Sequence, residues 1–304
     1  MNKPDAAESI ATPAFRCGQV AIVGKPSVGK STLLNALVGA RIAITSRRPQ
    51  TTRHRLRGIL TAAQAQFIFV DTPGFQTRHR SRLNERLNRA VRDSLADVDA
   101  IVVVLDAKGL AAADREVLAL LPPGVAAIAA LNKVDRLSDR GRLLPLIAQV
   151  AAAREFAAIV PVSAEKQWQL DVLTREIAAC LPPGPPLYPA EDLTDRDERF
   201  LAAEYVREKI FRLLGEELPY ATAVTVDRFT HEGDLRRIEA TVLVQKASQR
   251  AILLGKEGAR MKAIASAARR DMESLFGGKV FLEVWVRVSA GWADDERTLT
   301  RLGY

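Results

Sequence analysis

A glycine-rich run with a lysine and a serine is the first group of residues whose types and spacing could do chemistry. Gly24 and Gly29 frame the run at 24–31, which follows a short apolar stretch and precedes a helical pattern. Glycines let backbone N–H groups turn inward around phosphate oxygens, and the helix points its positive end at them. Lys30 can reach the β- and γ-phosphates, and the Ser31 hydroxyl can bind Mg²⁺. The residues predicted to surround the phosphates are Gly24, Lys25, Pro26, Ser27, Val28, Gly29, Lys30, Ser31 and Thr32.

A second group begins with Asp71, which follows the apolar run at 67–70. A carboxylate at the end of a strand suits the second Mg²⁺ contact, made through water. Gly74 leaves its backbone N–H free to approach a γ-phosphate. Taken alone, the tetrapeptide Asp71–Gly74 is equally typical of a plain turn, but after a phosphate loop it indicates a nucleotide site. The residues assigned to this group are Asp71, Thr72, Pro73, Gly74 and Phe75.

Two further groups are suited to selecting the base. The Asp135 carboxylate can accept two hydrogen bonds, from N1 and from the 2-amino group of guanine, and adenine offers no such pair of donors. After a later apolar run, a backbone N–H near Ser163 can meet guanine O6. These groups predict guanine rather than adenine. Their residues are Asn132, Lys133, Val134, Asp135, Ser163 and Ala164.

The four motifs, in this order, resemble the GTPase family over residues 17–181. The segment Thr45–Arg53 resembles that family's first switch. The resemblance implies that a threonine of this switch completes the Mg²⁺ shell and senses the γ-phosphate. Either Thr51 or Thr52 fits that role, and similarity to the Thr-Arg pattern of translation-associated bacterial GTPases favours Thr52. The metal ligands expected from this resemblance are Ser31, Thr52 and Asp71, and the residues expected to act in catalysis are Lys30, Thr52 and Gly74.

These motifs need an α/β scaffold to position them. Apolar runs lie at 20–23, 67–70, 101–105, 125–131 and 159–162, and helical patterns lie at 29–39, 82–97, 112–121, 139–153 and 168–180. Short buried strands that alternate with helices predict a mostly parallel sheet with helices on both faces. Five prolines at 181–189 then predict a stiff, extended linker.

The order of elements changes after the linker. A helical pattern at 196–214 precedes strand patterns at 221–229 and 235–245, a glycine-broken helical stretch at 248–276 and a strand pattern at 280–288. This order, with Gly-x-x-Gly between two helices, resembles the α+β type II KH domain, which clamps a four-nucleotide RNA backbone. The residues expected to bind RNA are Lys246, Arg250, Gly255, Lys256, Glu257, Gly258, Arg260 and Lys262. The residues expected in the core beside them are Ile252, Leu254, Ile264 and Ala267.

Composition and charge limit the other possibilities. The chain has 304 residues, 48% of them hydrophobic and 26% charged, which is typical of a folded protein of about two domains. The net charge is +8, and residues 41–92 alone carry twelve basic residues against two acidic ones. Such a segment is either a solvated face or a surface for a polyanion. Cys17 and Cys180 are far apart in sequence, so we expect no disulfide or zinc site and a reducing cytoplasm. No apolar run is long enough to span a bilayer.

A GTPase domain, a short linker and a C-terminal KH domain together resemble the Era family of bacterial ribosome-assembly GTPases. The expected boundaries are an extension at 1–16, a GTPase domain at 17–181, a linker at 182–195 and a KH domain with a tail at 196–304. The resemblance implies Mg²⁺ as cofactor, GTP and GDP as substrate and product, and binding to the 3′ end of 16S ribosomal RNA in the precursor of the 30S subunit. We expect a monomer; peripheral contact with the membrane stays open. Two alternatives also stay open, a signalling switch with a protein effector and a tRNA-modification GTPase.

The first prediction concerns the rate of hydrolysis and its dependence on monovalent cations. Phe75 stands where Ras-like GTPases have a glutamine that orients the attacking water, so we expect slow intrinsic hydrolysis. Relatives that use K⁺ hold it with an asparagine, and Ser27 occupies that position here. Replacing Na⁺ by K⁺ at constant ionic strength should therefore leave the rate of phosphate release unchanged. A large stimulation by K⁺ would show that another group replaces the asparagine.

Overall fold

A six-stranded sheet organises the first part of the chain. The computed structural model describes residues 14–45, 52, 54–75, 82–214, 222–293 and 295–302. The strands are β1 (Arg16–Val23), β2 (Leu56–Thr61), β3 (Ala65–Asp71), β4 (Ala100–Asp106), β5 (Ala126–Asn132) and β6 (Ala158–Val162). They lie in the order β2-β3-β1-β4-β5-β6, and all pairs are parallel except β2 with β3. The predicted α/β fold with a mostly parallel sheet is confirmed.

Helices cover both faces of this sheet. They are α1 (Lys30–Val38), α2 (Arg82–Ala96), α3 (Ala112–Ala119), α4 (Leu143–Ala153) and α5 (Leu170–Cys180). Leu33 of α1 and Ile177 of α5 are buried in an apolar cluster on one face, whereas Val91, Val117 and Val150 of the other helices are buried on the opposite face. Because the central strands are parallel, the loops that follow their carboxyl ends meet at one edge of the sheet.

Strand β2 was missed by the sequence prediction. It pairs antiparallel with β3, and Gly58 and Ile59 are buried while Arg57 and Leu60 are only partly covered. Its six residues include an arginine and a glycine, so they lack the continuous apolar run that marks the other strands. An edge strand tolerates such residues because it is covered less completely than a central one. Gly58 is needed here, since a Cβ atom at that position would lie 2.6 Å from a side-chain carbon of Leu34.

The linker is bonded to the first sheet rather than crossing open solvent. The backbone N–H of Ile59 donates to the carbonyl of Leu193 at 2.9 Å. The buried Gln66 side chain donates to the carbonyl of Tyr188 at 2.7 Å and accepts from the N–H groups of Leu187 and Tyr188 at 2.7 and 3.0 Å. The prolines of this segment have no backbone N–H, and the Gln66 oxygen accepts hydrogen bonds from the N–H groups of Leu187 and Tyr188. The linker therefore fixes where the second part of the chain begins.

A three-stranded sheet forms the second part; three helices cover one face, and the last short helix packs through Leu299 near Ala223 and Leu243 on the other. Its elements are α6 (Glu198–Leu213), β7 (Thr222–Glu232), β8 (Leu235–Val244), α7 (Ala247–Leu254), α8 (Ala259–Phe276), β9 (Lys279–Val288) and α9 (Glu296–Arg301). The strand order is β7-β8-β9, with β7 and β8 antiparallel and β8 and β9 parallel. The predicted order of elements from α6 to β9 is present, and the short α9 was not predicted.

The core of this second part lies between α6, α8 and the sheet. Ile210, Ile264 and Met272 are fully buried there. The sequence prediction placed Ile252 in the core as well, but its side chain is 48% exposed. Ile252 and Leu253 are adjacent on α7, and Leu253 takes the buried position, so Ile252 is directed away from the core.

The second prediction tests the attachment of the linker. Gln66→Leu removes the side-chain amide, so the N–H groups of Leu187 and Tyr188 lose their acceptor. We expect the free energy of unfolding to fall by about 2 kcal/mol, because unsatisfied donors cost about 1–3 kcal/mol each and water can reach part of this segment. Urea denaturation measures the change. Gln64→Leu, at an exposed position, is the matched control and should shift stability by less than about 0.5 kcal/mol.

Candidate nucleotide site and RNA-binding groove

The phosphate loop joins the carboxyl end of β1 to the start of α1. Gly24 and Gly29 have φ of +155° and +103°, and a Cβ atom on Gly24 would lie 2.5 Å from the carbonyl oxygen of Val104. Lys30 is buried inside the loop and donates from Nζ to the carbonyls of Gly24 and Lys25 at 2.9 and 3.0 Å. Burial lowers the pKa of Lys30 to about 8, and Asp71 opposes that shift. A phosphate in the loop would stabilise the charged ammonium.

Three oxygen-bearing side chains converge next to Lys30. The Ser31 hydroxyl lies 2.8 Å from Thr52 Oγ1 and donates to Asp71 Oδ2 at 2.8 Å, and Thr52 Oγ1 is 3.1 Å from the same carboxylate oxygen. Asp71 Oδ1 is buried without a hydrogen-bond partner among the described residues. Burial raises the pKa of Asp71, and Lys30 together with the two hydroxyls opposes the rise. Hard oxygen donors and an unpaired carboxylate oxygen fit Mg²⁺. Thr51, the other candidate, lies outside the described residues.

The segment after Asp71 approaches the phosphate loop. A Cβ atom on Gly74 would lie 3.0 Å from Pro26 Cα, so glycine permits this approach. Phe75 is buried in the apolar cluster that also contains Val91 and Leu95. Its side chain has no polar atom with which to orient water. Thr72 is directed into the protein, where its hydroxyl donates to the carbonyl of Ile22 at 2.9 Å.

The base-selecting residues are held together at the ends of β5 and β6. The Asn132 amide donates to the carbonyl of Val28 at 3.0 Å and accepts from the N–H of Ala164 at 3.0 Å, so it joins the phosphate loop to the last loop of the site. Ser163 donates its hydroxyl to Asp135 Oδ1 at 2.5 Å. This contact orients the carboxylate at a partly exposed position. Lys133 has φ of +70° and donates to the carbonyl of Ser27 at 2.6 Å.

Two aspartates of the site were not identified from the sequence. Asp106 accepts from Lys133 Nζ at 2.9 Å; burial alone would raise its pKa, but hydrogen bonds from Lys133 and Lys108 bring the pKa below its usual value. Its position at the carboxyl end of β4 is the signal that was overlooked. Asp114 is buried on α3 and pairs with Lys25 at 2.6 Å. The side chain of Lys25, predicted to contact the nucleotide, is therefore engaged with α3.

The Gly-x-x-Gly loop forms a sharp connection between α7 and α8. Gly255, Glu257 and Gly258 have φ of +71°, +50° and +77°, so the loop is held in left-handed backbone conformations. Lys256 and Glu257 are exposed at its tip. Arg260 folds back and donates to the carbonyl of Ile252 at 2.6 Å. The other predicted basic residues, Lys246, Arg250 and Lys262, are exposed, and Lys246 lies at the opposite end of α7 from the loop.

A cleft of about 280 Å³ continues from this loop between α8 and β9. Its residues are Met261, Lys262, Ala265, Ser266, Arg269, Leu282, Glu283 and Val284. Only Lys262 of these was predicted from the sequence. The others lie one or two helical turns into α8 or on β9, and their contribution depends on how the helix packs against the strand. The cleft is lined by apolar side chains, a serine, two cations and the acidic Glu283. Its apolar side chains are suited to bases of single-stranded RNA, and its cations to phosphates.

The geometry defines a P-loop guanine-nucleotide-binding domain joined to a KH domain. Residues 19–133 match a family model described as 50S ribosome-binding GTPase, and residues 217–293 match a model described as KH domain. Both matches agree with the two sites, because the first contains the phosphate loop and Asn132 and the second contains the Gly255–Gly258 loop.

The chain belongs to the Era family of GTPases. It is 52% identical over 290 residues to GTPase Era of Nitrosomonas eutropha, covering 95% of this chain and 98% of that protein. An Era variant from Aquifex aeolicus bound to GDP·AlF₄⁻ is 36% identical and superposes with a TM-score of 0.92, over 95% of this chain and 99% of the other. An Era in complex with MgGDPNP and nucleotides 1506–1542 of 16S ribosomal RNA has the same identity, coverage and TM-score. The resemblance inferred from the sequence is confirmed.

The third prediction concerns base selection. Asp135→Asn removes the charged acceptor for the two guanine donors, and we expect GDP affinity to fall by about 10- to 100-fold, as hydrogen bonds to charged groups are worth about 1.5–3 kcal/mol. Xanthine carries an oxygen where guanine has the 2-amino group, so XDP affinity should rise. Titrations with fluorescent GDP and XDP measure both.

Asp171→Asn, at an exposed position on α5, is the matched control. It should leave both affinities at the wild-type values. Equal affinity of the wild-type protein for ATP and GTP would contradict guanine selection altogether.

Proposed function

We propose that this protein binds and hydrolyses GTP with Mg²⁺ and binds the 3′ end of 16S ribosomal RNA, so that it assists maturation of the 30S subunit. The observation that carries the proposal is one chain with two sites: the phosphate, metal and base residues that the structure describes at one sheet edge, and the Gly255–Gly258 loop near a cleft. The MgGDPNP and 16S RNA held by the Era structure of TM-score 0.92 support it.

Each nucleotide residue has a role in this proposal. The loop at 24–32 binds the phosphates, with Lys30 at the β- and γ-phosphates. Ser31 and Thr52 are proposed to bind Mg²⁺ directly and Asp71 through water. Gly74 offers its backbone N–H to the γ-phosphate, while Asp135 and the Ser163–Ala164 segment select guanine. Mg²⁺ would neutralise charge that develops on the phosphates during hydrolysis.

The RNA part of the proposal rests on the loop and its cations. Gly255 and Gly258 let the main chain approach phosphates closely, and Lys256 adds charge. Lys262 and Arg269 extend the positive surface along α8. Binding of this kind weakens as salt concentration rises, because phosphate contacts release counterions.

We further propose the boundaries expected from the sequence: an extension at 1–16, the GTPase domain at 17–181, the linker at 182–195 and the KH domain with its tail at 196–304. We also propose a monomer that works in the cytoplasm, where ribosomal subunits are assembled. Among the described residues, every helix is too short or too polar to cross a bilayer. Peripheral contact with the inner face of the membrane is a separate proposal, supported only by the family resemblance.

The fourth prediction tests the RNA site. Replacing Lys256 and Glu257 by two aspartates places two acidic groups where phosphates would approach. We expect affinity for a 16S RNA fragment, nucleotides 1506–1542, to fall by more than about tenfold, because each lost or repelled phosphate contact weakens binding steeply at moderate salt. Filter binding or fluorescence anisotropy measures it.

The double change should leave GDP affinity unchanged, because the loop lies on the KH domain. Arg140→Asp, at an exposed position in the GTPase domain, lowers the net charge by the same two units and is the control for general loss of positive charge. If replacing Lys256 and Glu257 by aspartates left RNA affinity unchanged, the Gly255–Gly258 loop and its cleft would not be the RNA site. A switch with a protein effector would then become the better proposal.

A further inference from the structure

A buried carboxylate on the KH domain holds the residue where the first switch begins. Glu208 of α6 is fully buried. Its Oε1 accepts from the backbone N–H of Thr45 at 3.0 Å and lies 3.3 Å from the Thr45 hydroxyl. Its Oε2 accepts from Arg41 and, at 3.2 Å, from Lys209. A carboxylate with this many donors is fully satisfied and strongly oriented.

Arg212, one turn further along α6, completes the hold on Thr45. Its guanidinium donates to the Thr45 hydroxyl at 2.9 Å and to the Thr45 carbonyl at 3.2 Å, and it pairs with Glu208 at 3.0 Å. All three polar atoms of Thr45 are thus bound by two side chains of one helix.

The same network continues to α8, the helix that begins after the Gly-x-x-Gly loop. Asp271 accepts from Arg41 at 2.9 Å and pairs with Lys209. Tyr205 donates its hydroxyl to the carbonyl of Arg41 at 2.6 Å. Arg41, which precedes the switch, is therefore fixed by both helices of the KH core.

The other end of the first switch, at Thr52, is held by the oxygen-bearing side chains of the proposed Mg²⁺ site. Thr52 contacts Ser31 and Asp71, and only six residues separate it from Thr45. A segment tethered at one end loses less conformational entropy when its other end is ordered. Fixing Thr45 should therefore reduce the entropy cost of placing Thr52 against a metal-bound triphosphate.

We propose that Glu208 and Arg212 are positioning residues for the Mg²⁺–triphosphate site: by fixing Thr45 they favour binding of a nucleoside triphosphate over a diphosphate. This inference rests on the proposed GTP-binding function. It is specific to the triphosphate because the first-switch threonine is expected to sense the γ-phosphate, whereas the phosphate loop and Asp135 serve both nucleotides.

Arg212→Ala is the main test, because the side chain is 44% exposed and its removal leaves the Glu208–Lys209 and Arg41–Glu208 pairs in place. Affinities are measured in the presence of Mg²⁺ with two fluorescent ligands, methylanthraniloyl GDP and the methylanthraniloyl form of a non-hydrolysable GTP analogue. We expect triphosphate affinity to fall about fivefold or more, consistent with the loss of two hydrogen bonds. Diphosphate affinity should stay within about twofold, so the ratio of the two affinities changes.

Glu208→Gln is the second variant. The amide oxygen can still accept from the Thr45 N–H, so we expect a smaller loss of triphosphate affinity than in Arg212→Ala. Its melting temperature is recorded in parallel, since the change weakens the three ion pairs of Glu208, with Arg41, Lys209 and Arg212. If Glu208 had only a structural role, Glu208→Gln would lower the melting temperature without changing the ratio of triphosphate to diphosphate affinity.

Two controls separate the positioning role from general effects. Arg199→Ala removes another α6 arginine whose guanidinium donates to KH-domain carbonyls only, at Val226 and Asp227. Glu273→Gln changes a paired carboxylate on α8 that contacts Arg269. Both should keep the wild-type ratio. The inference is overturned if Arg212→Ala leaves the ratio unchanged, whereas a wild-type protein that binds neither nucleotide would refute the proposed function itself.

Discussion

The burial of two opposite charges at the carboxyl edge of the first sheet is the constraint on which the nucleotide site depends. Lys30 and Asp71 are both buried, and burial lowers the pKa of the lysine to about 8 and raises the pKa of the aspartate. Removing ions from water is costly unless charged or polar partners compensate. The loop carbonyls and two hydroxyls compensate in part. A phosphate beside the ammonium and Mg²⁺ beside the carboxylate would complete the compensation, which explains why this edge is suited to a metal-bound polyphosphate.

The sequence predicts this site well because each motif follows a buried apolar run, and parallel strands bring their carboxyl ends together. The features it missed depend on partners distant in the chain. β2 is an edge strand with a broken apolar pattern, and the proline-rich segment at Leu187 and Tyr188 is held by Gln66, a polar residue inside β3. Asp106 acts through Lys133, a partner 27 residues away. Ile252 looks like a core residue by spacing, yet the neighbouring Leu253 occupies the core.

The basic segment at 41–92 has a third explanation besides a solvated face or a surface for RNA. Several of its described arginines form ion pairs with the KH domain or the linker. Arg41 pairs with Glu208 and Asp271, Arg57 with Asp195 at 3.4 Å, and Arg86 with Glu296 at 2.9 Å. Acidic partners for these arginines lie after residue 190, which is why the charge of the first domain is unbalanced when its sequence is considered alone.

These ion pairs place the KH domain against both segments that would respond to the γ-phosphate. Glu208 and Arg212 hold Thr45 before Thr52, and α9 packs through Leu299 against Leu87 of α2, the helix after Gly74. Ionic interfaces depend on the relative positions of their groups more strictly than apolar ones, while their net contribution to stability is small. An interface of this kind can favour one arrangement of the switches without locking it. By thermodynamic linkage, if GTP changes the affinity of the KH domain for RNA by some factor, RNA must change the affinity for GTP by the same factor.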